Sequence, residues 1–235
     1  MTETTTGIPI IWVIFIGFMI LSWIVSASLK SKFKRYSKIP TVGGLTGREV
    51  AEKMLRENDI FDVTVVSTAG RLTDNYNPTN KTVNLSADVY NGNSIAAAAV
   101  AAHECGHAVQ HATAYRWLTM RSTLVPVVSF ASNWMQWVLL AGILLVEKFP
   151  YLLLFGIVLF AITTIFSFIT LPVEIDASKR AIVWLDNSGI TSYETLPKAK
   201  DALRTAAYTY VIAALSSLAT LLYYIMIFLG NGRRS

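Results

Sequence analysis

The sequence predicts an α+β membrane protein: four transmembrane helices joined to a cytoplasmic part that combines a short sheet with helices. Three observations carry this. Of the 235 residues, 53% are apolar and only 15% are charged, a balance at odds with a single soluble domain of that length. The apolar residues gather in four stretches, 8–29, 122–146, 151–171 and 208–229, each long enough for the roughly 20 helical residues that cross a hydrocarbon core. Finally, of the 20 basic residues, twelve lie from Lys30 to Arg121 and five from Lys179 to Arg204. With the N-terminus outside, four crossings put both basic loops on the cytoplasmic face. The net charge of +5 is too mild and scattered for a nucleic-acid binder. A lone cysteine, Cys105, excludes an intrachain disulfide.

The elements follow in order. Residues 8–29 form a retained anchor, because the preceding MTETTTG carries no positive charge and the apolar run exceeds a cleaved signal's core. A soluble segment, 36–121, opens with turn residues Pro40, Gly43 and Gly44. Thr46 three before Glu49 then reads as a capping box that starts a helix to about Asn58. Three β-leaning segments follow, Phe61 to Ser67, Arg71 to Asn75 and, past the turn NPTN, Lys81 to Leu85. Asn93 or Ser94 caps a helix running to about Tyr115. Residues 122–171 read as a transmembrane hairpin; within it Ser129, Ser132, Asn133 and Gln136 are expected to face other helices. A second cytoplasmic segment, 172–207, holds a helix from about Val173 to Leu185 and a helix from Pro197 that feeds into the last span, 208–229.

Chemistry concentrates at His103, Glu104 and His107, an H-E-x-x-H pattern. Histidines four apart lie one turn apart on one helix face, so both imidazoles reach a single tetrahedral Zn²⁺. Glu104, about 100° around the helix, is placed to act as general base toward a zinc-activated water without occupying a ligand position. A catalytic zinc takes three protein ligands and keeps one position open. His111, the remaining histidine, is eight residues from His103, about 12 Å along a helix, and is excluded; it reads as a polar surface residue. Cys105 points away from the metal face and reads as packing. The third ligand is then a carboxylate of the second cytoplasmic segment. Glu174 and Asp176 in LPVEIDASKRA are the candidates; residues two apart do not share a helix face, so one binds metal while the other orients a ligand or caps the helix. Glu174 is taken as the ligand.

The runs YNPTNKTVNLSADVYNGNSIAAAAVAAHECGHAVQHA and LPVEIDASKRA resemble the membrane-bound neutral zinc metallopeptidases of bacteria and archaea, a gluzincin-like family, and the resemblance covers nearly the whole chain. It implies one catalytic zinc held by His103, His107 and Glu174, with Glu104 catalytic, in a reduced zincin-like fold where a short sheet precedes the active-site helix. In such folds an edge strand binds extended substrate, and Lys81 to Leu85 is the candidate. Tyr115, Arg204, Tyr208 and Tyr210 are candidate oxyanion donors, although the reading of each as an interfacial or snorkelling residue is favoured. The expected partners are a polypeptide substrate, with membrane proteins and their exposed tails among the candidates, and the lipid bilayer. The expected location is the cell membrane, multi-pass, with the active site on the cytoplasmic face. The alternatives are a zinc-stabilised membrane scaffold without peptidase activity and an intramembrane protease. The second conflicts with the short apolar run 96–102 and the polar Gln110, His111 and Thr113 that follow the motif.

Overall fold

The computed structural model describes residues 10–70 and 72–231. Within them it is mostly helical, with one three-stranded sheet. Four helices are long and apolar enough to cross a membrane: Trp12–Tyr36, Arg116–Leu144, Pro150–Asn187 and Leu196–Gly230. The chain divides into two compact units. One comprises Met1–Ile24, Thr123–Ile169 and Tyr210–Ser235; the other comprises Val25–Ser122 and Thr170–Thr209.

The first unit is built from parts of helices α1 (Ile10–Tyr36), α5 (Arg116–Leu144), α6 (Pro150–Asn187) and α7 (Leu196–Asn231). Its packed centre is small, with Leu139 of α5 and Leu153 and Ile157 of α6 joined by Leu221 and Tyr224 of α7. Glycines let α5 and α6 approach closely. A Cβ at Gly142 would lie 2.6 Å from Leu153 Cα, and one at Gly156 would lie 2.8 Å from Leu139 Cδ2. Small residues commonly play this part between membrane helices. A hydroxyl pair, Thr164 and Ser217 at 2.7 Å, links α6 to α7. Large apolar side chains such as Trp23, Phe130 and Met226 are exposed, as lipid contact requires. Within this chain Ser129, Ser132, Asn133 and Gln136, expected to face other helices, meet none and are all exposed. The inward positions of α5 are taken by Ala131, Leu139 and Gly142, and helical geometry leaves the four polar side chains on another arc.

In the second unit, α2 (Gly47–Glu57) starts at the foreseen box, Thr46 accepting from the Glu49 N–H while the Glu49 side chain caps Thr46. Strands β1 (Thr64–Thr68), β2 (Asn75–Asn77) and β3 (Thr82–Ser86) form a sheet in the order β1-β3-β2, β1 parallel and β2 antiparallel to β3. The expected second β segment began at Arg71, which lies outside the described residues, and the strand forms only from Asn75. Asn77 Oδ1 accepts the N–H of Thr79 and Asn80, the side-chain mimicry by which Asn favours turns. After the short helix α3 (Ala87–Tyr90) comes α4 (Ile95–Ala112), capped by Ser94. It ends before the expected Tyr115 because Ala114 adopts positive φ, +50°, and α5 restarts at Arg116.

The core of this unit joins Val50, Met54 and Leu55 of α2, Val83 and Leu85 of β3, the α4 alanines 98, 99, 101 and 102, and Ala181 and Leu185 of α6. Alanines at these positions bring neighbouring backbones close to α4 while adding no side-chain entropy cost. The third span and the helix expected from Val173 prove to be one helix, α6, with Pro172 inside it. Proline removes one backbone hydrogen bond but leaves the helix continuous, and the division between the two units falls at this point, between Ile169 and Thr170.

Candidate metal centre

Helix α4 presents His103 and His107 one turn apart, their ring centroids 4.9 Å from each other. Glu174 on α6 faces both: its Oε2 is 3.3 Å from His103 Nε2 and 3.6 Å from His107 Nε2. The three ligand atoms lie within 4.8 Å of one another. Two ligand atoms about 2.05 Å from a tetrahedral zinc stand roughly 3.3 Å apart, so these separations and this donor set fit a single Zn²⁺. The site is sheltered, with side-chain exposures of 9% for His107 and 4% for Glu174.

Gly106 makes the approach of α6 possible. A Cβ there would sit 2.6 Å from the Ala177 carbonyl oxygen and 3.1 Å from its carbon and Cα. The glycine inside the motif therefore lets the backbone that carries Glu174 lie against α4.

Each of the three residues has its own support. Gln110, fully buried, donates from Nε2 to the Val173 carbonyl (2.8 Å) and to Asp176 Oδ2 (2.9 Å). Only its Oε1 remains for His107 Nδ1, at 3.0 Å, so Nδ1 carries the proton and Nε2 turns its lone pair toward Glu174. Asp176 is held in turn by Arg180 Nε at 2.6 Å. Of the Glu174 and Asp176 pair, Glu174 faces the histidines, while Asp176 bonds Gln110, which in turn bonds His107. His103 Nδ1 lies 3.1 Å from Ser178 Oγ. Arg121 Nη1 donates to Glu174 Oε1 at 3.2 Å, leaving Oε2 turned to the imidazoles.

Gln110, Ser178 and Arg121 escaped the sequence reading. Gln110, three residues after His107, and Ser178, four after Glu174, share helix faces with those residues, and that spacing was the available signal. Arg121 carried none, because only the tertiary fold sets it beside Glu174.

Glu104 is buried, and its Oε2 accepts the Tyr76 backbone N–H at 3.0 Å. Burial is the dominant influence on this carboxyl and raises its pKa above the usual carboxylate range; the neighbouring His103 and His107 pull the other way. Glu104 is thus a stronger base than a surface glutamate. His111 is exposed and bonds the Tyr76 hydroxyl through Nδ1 at 2.8 Å, away from the cluster as expected. Cys105 is buried, its Sγ 3.6 Å from the Ala51 carbonyl.

One expectation about substrate groups changes. Lys81 to Leu85 does not form an edge: β3 lies between β1 and β2. The edge strand beside Glu104 is β2, whose Tyr76 N–H goes to Glu104 Oε2. As for oxyanion donors, Tyr115 reaches the Pro172 carbonyl at 3.5 Å beneath Arg180, while Arg204 and Tyr208 engage each other at 2.8 Å. Tyr210 belongs to the other unit.

A cleft of about 740 Å³ adjoins this helix, lined by Leu29, Lys30 and Phe33 of α1, by Asp74, and by Ala97 and Val100 of α4 among others. At 100° per residue, positions 96, 97, 100, 103, 104 and 107 of α4 occupy one arc of about 120°, so the cleft and the metal cluster share a helix face.

The family described as "Putative neutral zinc metallopeptidase" matches residues 11–229. The chain is 44% identical over 213 residues to "Putative membrane protease YugP" of Bacillus subtilis (strain 168), covering 91% of this chain and 93% of that protein. No solved structure matches. With a match over nearly its whole length and a relative of this similarity, the chain belongs to the neutral zinc metallopeptidase family.

Proposed function

We propose that the protein is a zinc-dependent, membrane-anchored endopeptidase with a reduced zincin-like catalytic part. The observation that carries this is the convergence of His103 Nε2, His107 Nε2 and a Glu174 carboxylate oxygen within 4.8 Å, beside a buried carboxylate at Glu104. His103, His107 and Glu174 would hold the ion. Bound zinc supplies Lewis acidity, which acidifies water and polarises a peptide carbonyl. Glu104 Oε2 is fixed by the Tyr76 N–H, so the proton from the attacking water passes to Oε1. The same carboxyl then delivers that proton to the departing amine, completing hydrolysis. Arg121 and the Gln110–Asp176 pair keep the ligands in register.

An extended polypeptide is the substrate class that this arrangement suits. The cleft is lined by Ala96, Ala97 and Val100, which lie on the same face of α4 as His103 and His107. The charge distribution favours a multi-pass protein with the N-terminus outside and the site on the cytoplasmic face, where membrane-associated or unfolded proteins would be met. The test is Glu104→Gln in the full chain purified in detergent. About one zinc per chain should remain while cleavage of an unstructured protein such as β-casein is lost. Cleavage at the wild-type rate would remove Glu104 from the mechanism.

A further inference from the structure

Four polar side chains within the apolar stretch of α5 have no hydrogen-bond partner among the described residues. Ser129, Ser132, Asn133 and Gln136 follow the spacing i, i+3, i+4, i+7 and occupy an arc of about 100° on the helix. All four are exposed, and among the described residues none has a side-chain hydrogen-bond partner. The buried positions Ala131, Leu139 and Gly142 lie on a separate arc. Val127, also exposed, faces nearly the opposite direction from the stripe. On the four-span reading, Asn133 and Gln136 sit within about 3 Å of the middle of the apolar stretch 122–146. There, no water is at hand to bind an amide.

We propose that this stripe is a helix–helix interface between two copies of the chain. Three considerations select a second copy as the occupant. Amide and hydroxyl side chains are both donors and acceptors, so the stripe is complementary to itself, as an isologous two-fold interface requires. The lopsided basic residues impose one orientation on every copy. Two α5 helices therefore meet parallel, and residues at one depth face their own equivalents, Asn133 to Asn133 and Gln136 to Gln136. Ser129 and Ser132 are small enough to let the backbones approach.

The test uses the full chain, whose single cysteine, Cys105, is buried and gives a quiet background for engineered thiols. In liposomes, energy transfer between labelled copies should report a dimer, and light scattering in mild detergent should give twice the 25.9 kDa chain mass. The double variant Asn133→Leu, Gln136→Leu should weaken association at least tenfold. Its thermal stability should not fall, since leucine suits lipid and neither amide is bonded within the chain; a role in packing the monomer would lower it. Oxidation should cross-link Ser129→Cys copies and leave Val127→Cys copies single. A wild-type chain that is monomeric at every protein-to-lipid ratio would overturn the proposal and point to a different polypeptide on this face. Dimers that survive the double leucine variant, or equal cross-linking at Val127→Cys, would overturn it as well. None of these readouts depends on peptidase activity.

Discussion

Gly106→Ala sets helix propensity against geometry. Glycine to alanine within a helix should by itself stabilise by about 1 kcal/mol. Here the new Cβ would stand 2.6 Å from the Ala177 carbonyl oxygen, against an ordinary contact of roughly 3.4 Å, so α6 must retreat by about 0.8 Å. Overpacking of this kind costs about 1 to 3 kcal/mol, which outweighs the propensity gain over most of that range. The larger effect falls on the metal. Glu174 lies three residues before Ala177 on the same helix, and a zinc ligand tolerates about 0.2 Å of displacement. Zinc affinity, measured by competition with a chromophoric chelator, should therefore fall by roughly 10- to 100-fold, the range found when ligand support is disturbed, with a lower Tm. Gly17→Ala, whose Cβ would meet nothing within 4 Å, serves as the control. A Gly106→Ala chain that binds zinc within twofold of wild type and melts higher would refute the argument that this glycine sets the distance between α4 and Glu174.

Three further outcomes are expected. Gln110→Leu removes the acceptor that holds the His107 proton on Nδ1 and should lower zinc affinity by roughly 10- to 100-fold; unchanged affinity would dismiss the relay. Cys105 is fully buried and burial raises its thiol pKa, so a thiol reagent should find no reactive group in the native chain and one per chain after denaturation; rapid native labelling would contradict the packing of α4 on α2. The Glu49 carboxyl is held below its ordinary value of 4.5, chiefly by the Thr46 N–H. A depressed folded-state pKa gives stability that is present above the unfolded value and is lost as pH falls through the folded one. The Tm deficit of Glu49→Ala should accordingly be full at pH 7 and shrink below about pH 4.5; a deficit independent of pH would mean that the charged cap contributes nothing.

Local order was the legible part of this chain. Thr46 with Glu49, Ser94 before the alanine run, and the turn at Asn77 act through contacts two to four residues apart, so their signals are contiguous in the sequence. The spacing of His103, Glu104 and His107 is likewise a property of one helix, and the apolar lengths and basic loops follow from what a bilayer tolerates. The third carboxylate could be narrowed to Glu174 and Asp176, because few carboxylates were expected to return to the same face.

Tertiary structure decided whatever depends on two distant segments meeting. It placed β3 between β1 and β2, since strand order is set by which edges pair and period-two patterning does not encode it. It joined the third apolar run to its soluble extension through Pro172, turned the polar side chains of α5 outward, and brought Arg121, Gln110 and Ser178 to the three candidate ligands. Composition and spacing thus determined which residues could make a metal site, and the close approach of α4 and α6 at Gly106 decided how they are held, because that contact depends on the packing of helices some 70 residues apart in the chain.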